Sequence, residues 1–277
     1  MLSYRHGFHA GNPADVFKHT VLVALVRAMQ QKNKGILFVD THAGPALYDL
    51  ADEYALKKRE FERGIGQAWA STADKPPLAD CRDDYCGDYL DQVRAVNPGP
   101  ELRFYPGSPL LIANLLRHQD RLVLCELHTT EQAVLAERFA SRRGVMVHAG
   151  DGYRALETYL PPVTGRGLVL IDPSFELRNE ITVMSAALER ALRRFGHGVY
   201  TIWYPVIEGR DTLPDALPQS LGLSEEQWLD LRIEFPEQQR LGRMSGCGMA
   251  VINCPFRARQ DLVELHRHWH SRASEQL

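Results

Sequence analysis

Four acidic residues follow short apolar segments of the chain, and such segments are typical of buried strands. The four are Asp40, Glu126, Asp151 and Asp172. In a doubly wound parallel sheet, the carboxyl ends of the strands meet at one crevice, and ligands bind there. Carboxylate oxygens at that edge can accept hydrogen bonds from hydroxyl and amine groups. The pattern therefore predicts a ligand site in which one acid faces a reacting group.

The segment around Asp172 is the most informative part of the chain. Residues 168–171 are apolar and predict a fully buried strand, which ends in Asp172-Pro-Ser-Phe175. Pro173 fixes one backbone dihedral, so the acid is held stiffly. Phe175 offers a ring face on which a planar base can stack. This combination is suited to binding the exocyclic amine of a flipped-out nucleobase. The same residues are also compatible with an ordinary strand end followed by a turn.

Each of the other acids has a matching expected role. The glycine-bearing loop after the first strand, residues 40–44, lets backbone approach a ligand closely. Glu126 is placed to accept hydrogen bonds from two ribose hydroxyls, and Asp151 from an adenine amine. A phosphate-binding Gly-x-x-x-x-Gly-Lys-Ser/Thr loop is missing, as is a complete Gly-x-Gly-x-x-Gly. We therefore expect an adenosine cofactor without phosphates and disfavour a nicotinamide oxidoreductase. Acids in these positions also serve as helix N-caps.

The elements that position these residues alternate between strand and helix. Strand patterns cover residues 35–40, 121–126, 145–148, 168–171, 198–204 and 249–253. Helical patterns cover residues 14–31, 130–142, 152–159, 180–195 and 257–272. The fold class is therefore α/β, with a doubly wound and mostly parallel sheet. Residues 47–100 lack strand signals, so we expect a helical insertion there, within a main domain of residues 1–46 and 101–277. Residues 224–240 fit neither pattern well.

Composition limits the remaining possibilities. The chain has 277 residues, 44% of them hydrophobic, and a net charge of −3. Its first 35 residues nevertheless contain five lysines or arginines and one acid, so a nucleic-acid contact must come from this local asymmetry. The five cysteines form no Cys-x-x-Cys pair, which argues against a disulfide framework or a zinc knuckle. Neither a secretory leader nor a membrane span is evident, so a cytoplasmic protein is expected.

Several motifs resemble one known family, the RlmJ methyltransferases. They occur in collinear order between residues 4 and 205. They are Tyr4-Arg-His-Gly-Phe-His-Ala-Gly-Asn-Pro-Ala-Asp-Val-Phe-Lys-His19, Asp40-Thr-His-Ala-Gly44, Tyr105-Pro-Gly-Ser-Pro109, Glu126-Leu-His128, Asp151-Gly152, Leu170-Ile-Asp-Pro173 and Trp203-Tyr-Pro205.

The resemblance implies a Rossmann-like fold with a small helical insertion. It also implies methylation of an adenine N6 amine in 23S ribosomal RNA, with S-adenosylmethionine as cofactor. The implied cofactor contacts are His19, His42, Ser108, Glu126, Asp151, Gly152 and Asp172. Asp172 is then the catalytic acid, assisted by Pro173 and Phe175. We expect the basic N-terminal segment to contact RNA through Tyr4, Arg5 and Lys18, in a monomer that needs no metal and no membrane.

Two positions depart from the family pattern. The catalytic motif of the family usually reads Asp-Pro-Pro-Tyr, whereas this chain has Ser174 and Phe175 at the last two positions. Phe175 keeps the stacking face, while Ser174 restores a backbone N–H and loosens the turn. Pro45-Ala46 replaces the usual Ala-Gly after the first strand, which narrows the allowed backbone there.

Three alternatives stay open at this stage. The protein could bind nucleic acid without chemistry, or it could methylate adenine in DNA, because the Asp-Pro-x-aromatic motif also serves DNA enzymes. No target-recognition domain of the usual size is evident, which favours RNA. Independently of function, Lys18 and His19 could simply form the exposed face of the first helix.

Overall fold

The computed structural model describes residues 6–70, 84–177, 179–209, 216–237 and 240–275. Tyr4 and Arg5, two of the expected RNA contacts, lie outside these ranges. Nine strands occur in the described part of the chain. They are β1 (Leu37–Asp40), β2 (Leu47–Asp49), β3 (Phe104–Pro106), β4 (Arg121–Glu126), β5 (Val145–Ala149), β6 (Gly167–Ile171), β7 (Val199–Ile207), β8 (Trp228–Glu234) and β9 (Met244–Ile252).

Seven of these strands form one mostly parallel sheet, in the order β5-β4-β1-β6-β7-β9-β8. Strands β5, β4, β1, β6 and β7 pair in parallel, while β9 runs antiparallel to β7 and β8. All five residues of β6 are buried, as expected for a central strand covered on both faces. The predicted Rossmann-like α/β fold is thereby confirmed.

Helices cover both faces of this sheet. They are α1 (Pro13–Gln30), α2 (Glu53–Lys58), α3 (Ile65–Ala70), α4 (Asp84–Ala95), α5 (Ser108–Leu115), α6 (Thr129–Phe139), α7 (Gly152–Tyr159), α8 (Glu180–Arg194), α9 (Leu217–Ser220) and α10 (Phe256–Glu275). Short 3-10 helices lie at His6–Phe8 and Glu60–Arg63. Among the described helices, none combines the length and apolar composition of a membrane span.

Helix α1 begins as its sequence predicts but is buried more completely. The Asn12 side chain accepts a hydrogen bond from the Asp15 backbone N–H, and Pro13 occupies the first turn. Every residue from 13 to 26 is buried, because α4, α5, α10 and β9 all pack against this helix. The interpretation of Lys18 and His19 as an exposed helix face is therefore wrong.

The strands differ in three places from what the sequence patterns indicated. Residues 47–49 form β2, which pairs antiparallel with β3, so the expected helical block begins with a strand. The segment 224–240, which fitted neither pattern, contains β8. Strand β9 begins at residue 244 rather than 249, and its two glycines obscure the strand pattern. A Cβ atom at Gly248 would lie 2.1 Å from the Tyr204 hydroxyl oxygen, so a side chain has no room there.

The turn before β4 aligns the two strands that carry Asp40 and Glu126. Asp120 is buried there and accepts hydrogen bonds from the Ile36 backbone N–H at 3.0 Å and from the Arg117 guanidinium at 2.9 Å. The guanidinium of Arg117 also donates to the carbonyl oxygens of Gln30 and Lys32. One buried carboxylate thus joins the start of β1, the end of α1 and the start of β4.

We expect Asp120→Ala to lower the free energy of unfolding by about 3 kcal/mol, because it leaves Arg117 and the Ile36 N–H without their shared acceptor. Urea denaturation measures this loss. Asp91→Ala is the control, since Asp91 forms an exposed pair with Arg94, and its loss should cost less than about 1 kcal/mol. Equal effects of the two substitutions would contradict this account of the turn.

Candidate active site at the carboxyl ends of the strands

A cavity of about 740 Å³ opens at the carboxyl ends of the parallel strands. This volume is within the usual range of small-molecule sites. Glu126, Asp151 and Asp172 all border the cavity, so the structure brings three of the four predicted acids together. Asp40 is fully buried next to the cavity wall, where its carboxylate accepts a hydrogen bond from Ser108.

Sheet order arranges these residues in a row. From β5 through β4 and β1 to β6, the strand ends carry Asp151, Glu126, the loop with Gly44, and Asp172. An elongated ligand that lies across these four ends meets the acids in that sequence. One end of the cavity therefore contains Asp151 and Glu126, and the other end contains Asp172.

Glu126 is held by backbone on both sides. One carboxylate oxygen accepts a hydrogen bond from the Gly44 N–H at 2.7 Å, and the other from the His128 N–H at 2.7 Å. Each oxygen keeps further acceptor capacity, so the carboxylate can bind two hydroxyl groups without changing its rotamer. Gly44 has a φ of +63°, which an L side chain rarely adopts.

Asp151 combines a structural role with a position at the cavity. Its side chain accepts hydrogen bonds from the Tyr153 and Arg154 backbone N–H groups and caps α7, so the N-cap explanation holds for this residue. At Gly152, a Cβ atom would lie 2.0 Å from the Thr41 carbonyl oxygen. Only glycine allows α7 to begin this close to the loop after β1.

Lys18 is not on a basic surface, and its predicted contact with the RNA backbone is corrected here. Its ammonium group lies 2.7 Å from an Asp172 carboxylate oxygen and 2.8 Å from an Asp15 carboxylate oxygen. Asp15 in turn accepts a hydrogen bond from His6 Nε2 at 2.9 Å. Because α1 is buried by its neighbours, Lys18 points toward the end of β6 rather than toward solvent.

The charged forms of Lys18 and Asp15 are stabilised by the groups next to them. Burial acts to lower the pKa of Lys18, but the two neighbouring carboxylates outweigh it and the pKa is raised. Burial likewise acts to raise the pKa of Asp15, while His6 and Lys18 hold it well below its usual value. The buried Lys18 ammonium group therefore lies between the two carboxylates of Asp15 and Asp172, as a buried charge requires.

Two aromatic rings border the cavity together with Asp172. Phe175 adopts a φ of +53°, an unusual conformation for a bulky residue and one that concentrates at functional sites. Its ring lies edge-on to Trp203, with centroids 5.9 Å apart. The Lys18 ammonium lies 5.7 Å from the Trp203 ring centroid. Sequence reasoning missed Trp203 as a site residue, although its position in a motif on β7 was a usable signal.

Ser108 and His42 are positioned by Asp40. The Ser108 hydroxyl donates to one Asp40 oxygen at 2.7 Å, and the His42 backbone N–H donates to the other at 3.2 Å. Burial raises the pKa of Asp40 to about 7 and lowers the pKa of His42 to about 4. Burial therefore shifts both side chains toward their neutral forms.

His19 borders the cavity from α1. Its Nδ1 atom lies 2.7 Å from the Tyr105 hydroxyl oxygen, and the two rings stack with centroids 5.6 Å apart. Burial, followed by the nearby charge of Lys18, lowers the pKa of His19 well below its usual value. The cavity thus meets a neutral imidazole.

Tyr153 and Glu180 form another part of the cavity wall. The Tyr153 hydroxyl donates to Glu180 at 2.7 Å, which ties α7 to α8, and the Tyr153 ring meets His42 edge-on at 5.1 Å. Both residues border the cavity. No sequence motif indicated this pair, because the two residues are 27 positions apart and each fits an ordinary amphipathic helix.

The departure at Ala46 has a structural consequence. Ala46 adopts a φ of +72°, and its carbonyl oxygen accepts a hydrogen bond from the Gly107 N–H at 2.8 Å. This left-handed conformation costs an alanine about 1–2 kcal/mol and explains why glycine suits the position. The loop keeps the required backbone in spite of the substitution.

Comparisons with known proteins agree with this geometry. A family model described as "Ribosomal RNA large subunit methyltransferase D, RlmJ" matches residues 33–276. Two proteins named ribosomal RNA large subunit methyltransferase J, from Escherichia coli K12 and Haemophilus influenzae, are 36% and 37% identical to this chain. The alignments cover 98% and 96% of this chain, and 94% and 92% of those proteins.

A solved structure has the same overall fold. The crystal structure of a Legionella pneumophila protein is similar to this chain, with a TM-score of 0.80 and 31% sequence identity. The superposition covers 94% of each chain, so the similarity extends over nearly the whole length of both proteins.

The raised pKa of Asp40 predicts a specific dependence of stability on pH. The folded protein holds this proton up to about pH 7, whereas an unfolded aspartate loses it near 3.8. The wild type therefore loses stability relative to Asp40→Asn as the pH rises from about 4 to about 7. Across that window we expect the free energy of unfolding of Asp40→Asn, relative to wild type, to increase by about 2 kcal/mol or more.

Chemical denaturation across this pH range measures the difference, and the groups that titrate in both proteins cancel. Asp91→Asn, on the exposed surface of α4, is the matched control and should show a flat difference. A flat difference for Asp40→Asn as well would show that Asp40 is ionised throughout the range.

Proposed function

This chain belongs to the RlmJ family of ribosomal RNA large subunit methyltransferases, and we propose that it methylates the N6 amine of an adenine in 23S ribosomal RNA. We propose S-adenosylmethionine as the methyl donor. One observation supports this assignment most strongly. The Asp172 carboxylate lies at one end of the row of strand ends, shares the cavity with the rings of Phe175 and Trp203, and is paired with a buried lysine.

The cavity offers groups that fit an adenosine-containing sulfonium compound. Glu126, held by two backbone N–H groups, would accept hydrogen bonds from the ribose hydroxyls, and Asp151 from the adenine amine. Gly152 lets the start of α7 lie against the loop after β1, which keeps Asp151 at the cavity. His19, His42 and Ser108 would contact the remaining part of the molecule. When bound, S-adenosylmethionine supplies an electrophilic methyl group.

The acceptor amine needs help from the protein. The lone pair of an aromatic amine is delocalised into the ring, so the enzyme must favour a pyramidal nitrogen as the new bond forms. Asp172 and the Pro173 carbonyl oxygen would accept the two N–H hydrogen bonds and hold the nitrogen in that form. These acceptors stabilise the positive charge that develops on nitrogen. As the carbon–sulfur bond to the methyl group breaks, the amine gains a positive charge, and it would then pass its extra proton to the Asp172 carboxylate and on to solvent.

Lys18 has a supporting part in this proposal. Its ammonium group fixes the Asp172 carboxylate from the side of α1 and links it to Asp15. An acceptor that does not reorient during the reaction contributes more to the rate than a mobile one. Phe175 would stack the target base, with Trp203 supporting the ring from its edge.

The RNA would enter over the N-terminal segment. Phe8 meets Tyr54 edge-on at 5.0 Å, and His9 forms a 2.8 Å hydrogen bond with Glu60, so this segment is anchored to the insertion. We propose that Tyr4 and Arg5, which precede it, contact the substrate. We further propose that residues 47–100 form the insertion subdomain and support this segment.

Transfer of radiolabelled methyl groups from S-adenosylmethionine tests the proposal directly. Unmodified, deproteinised 23S RNA and adenine-containing duplex DNA are offered side by side. Label in RNA alone is the expected result. Label in DNA alone would replace the substrate with DNA, and absence of label together with absence of cofactor binding would favour a protein that binds nucleic acid without chemistry.

We expect Asp172→Ala to abolish methyl transfer, because it removes the principal acceptor for the amine, while the affinity for S-adenosylhomocysteine stays within about threefold of wild type. Isothermal titration and single-turnover kinetics separate the two quantities. Asp91→Ala, a substitution of the same kind on exposed α4, should retain both. Turnover close to wild type in Asp172→Ala would exclude the mechanism.

A further inference from the structure

A chain of buried hydroxyl groups connects the insertion to the cavity. Tyr89 on α4 and Tyr105 on β3 are both fully buried, and their hydroxyl oxygens lie 3.1 Å apart. Tyr105 is also 2.7 Å from His19 Nδ1. The chain therefore runs from Tyr89 through Tyr105 to the imidazole that borders the cavity.

The direction of the hydrogen bonds follows from counting protons. If Tyr89 donates to Tyr105 and Tyr105 donates to His19 Nδ1, both hydroxyl protons have an acceptor. In the opposite direction the Tyr89 proton has no acceptor among the described residues. A buried donor without an acceptor costs about 1–3 kcal/mol. The first direction is therefore favoured, and it places the remaining imidazole proton on Nε2.

Charge states agree with this direction. Burial raises the pKa of both tyrosines above their usual value, so both stay protonated. His19 is neutral, as described above, and a neutral imidazole has one donor nitrogen and one acceptor nitrogen. Since Nδ1 accepts from Tyr105, Nε2 is the donor.

The layout of the cavity indicates what this donor meets. Asp151 and Glu126 occupy the nucleoside end of the row of strand ends, whereas His19 approaches from α1 together with Ser108 and the loop after β1. The part of the cofactor beyond its ribose is an amino acid with a carboxylate. A fixed N–H donor is suited to that carboxylate.

We propose that Tyr105 and Tyr89 are positioning residues that hold the proton of His19 on Nε2, so that this nitrogen donates to the carboxylate of S-adenosylmethionine. The proposal rests on the proposed function for the identity of the ligand. It gives the insertion a second task, because Tyr89 on α4 sets the hydrogen-bonding state of a group in the cofactor site.

The first test needs no ligand. Long-range proton–nitrogen NMR correlation on protein labelled with 15N-histidine shows which ring nitrogen carries the proton, and His19→Asn identifies the His19 signals by their loss. In wild type we expect His19 to be protonated on Nε2 alone. In Tyr105→Phe, which removes the donor to Nδ1, we expect a mixture of tautomers. A His19 protonated on Nδ1 in wild type, or an unchanged tautomer in Tyr105→Phe, would overturn the proposal.

The second test is binding. We expect Tyr105→Phe to weaken S-adenosylhomocysteine about tenfold, the effect of weakening one hydrogen bond to a charged group. Affinity for 5′-methylthioadenosine, which lacks the amino-acid part, should be unchanged. Tyr89→Phe should act in the same direction with a smaller effect. At saturating cofactor, kcat should stay near wild type while KM for the cofactor rises.

Tyr200→Phe is the matched control. Tyr200 is also fully buried, but its hydroxyl donates to the Phe195 carbonyl oxygen at 2.9 Å rather than to a residue that borders the cavity. It should leave both affinities unchanged. Equal weakening of S-adenosylhomocysteine and 5′-methylthioadenosine by Tyr105→Phe would assign Tyr105 a general structural role and refute the proposal. If neither ligand binds wild type, the proposed function fails, while the tautomer measurement still decides the hydrogen-bond relay.

Discussion

The site depends on the ion pairs that the buried ammonium group of Lys18 forms. This group lies between two carboxylates, Asp15 on its own helix and Asp172 at the end of β6. Both carboxylates offset the cost of burying this charge, because an unpaired buried ion is strongly destabilising. The pair therefore fixes α1 against the sheet and fixes the orientation of Asp172 at the same time.

The remaining architecture keeps Lys18 buried and the cavity open. Helices α4 and α10 pack against α1, and Lys18 and His19 are both buried. Helix α4 contributes to the site in two ways. It helps to bury α1, and its Tyr89 joins the hydrogen-bond chain that ends at His19. The N-terminal segment is anchored on Tyr54 and Glu60. We propose that RNA enters over this segment.

The sequence predicted those features that are written in short, local patterns. Runs of apolar residues located the central strands, and the rule that parallel strand ends meet brought Glu126, Asp151 and Asp172 to one cavity. Local patterns do not record what packs against a helix. Lys18 on α1 therefore looked like a surface residue, although its ammonium group is buried and pairs with Asp172 at the end of β6.

Long-range partners were hidden for the same reason. Tyr105 is 86 positions from His19 in the sequence. Trp203 lies on β7 and Phe175 follows β6, so their rings meet only in the folded protein. Strand β2 was missed because it has three residues and depends on β3 for pairing. The left-handed conformation of Ala46 was signalled only by the family pattern, in which glycine is usual at that position.

The chemical identity of the methylated nucleoside tests the central claim most directly. After reaction with unmodified 23S RNA, the RNA is digested to nucleosides and the products are separated and identified by mass spectrometry against authentic standards. A site in which Asp172 and the Pro173 carbonyl hold an adenine amine predicts N6-methyladenosine as the sole new product. A methyl group on a ring nitrogen, on a ribose hydroxyl or on another base would contradict the account.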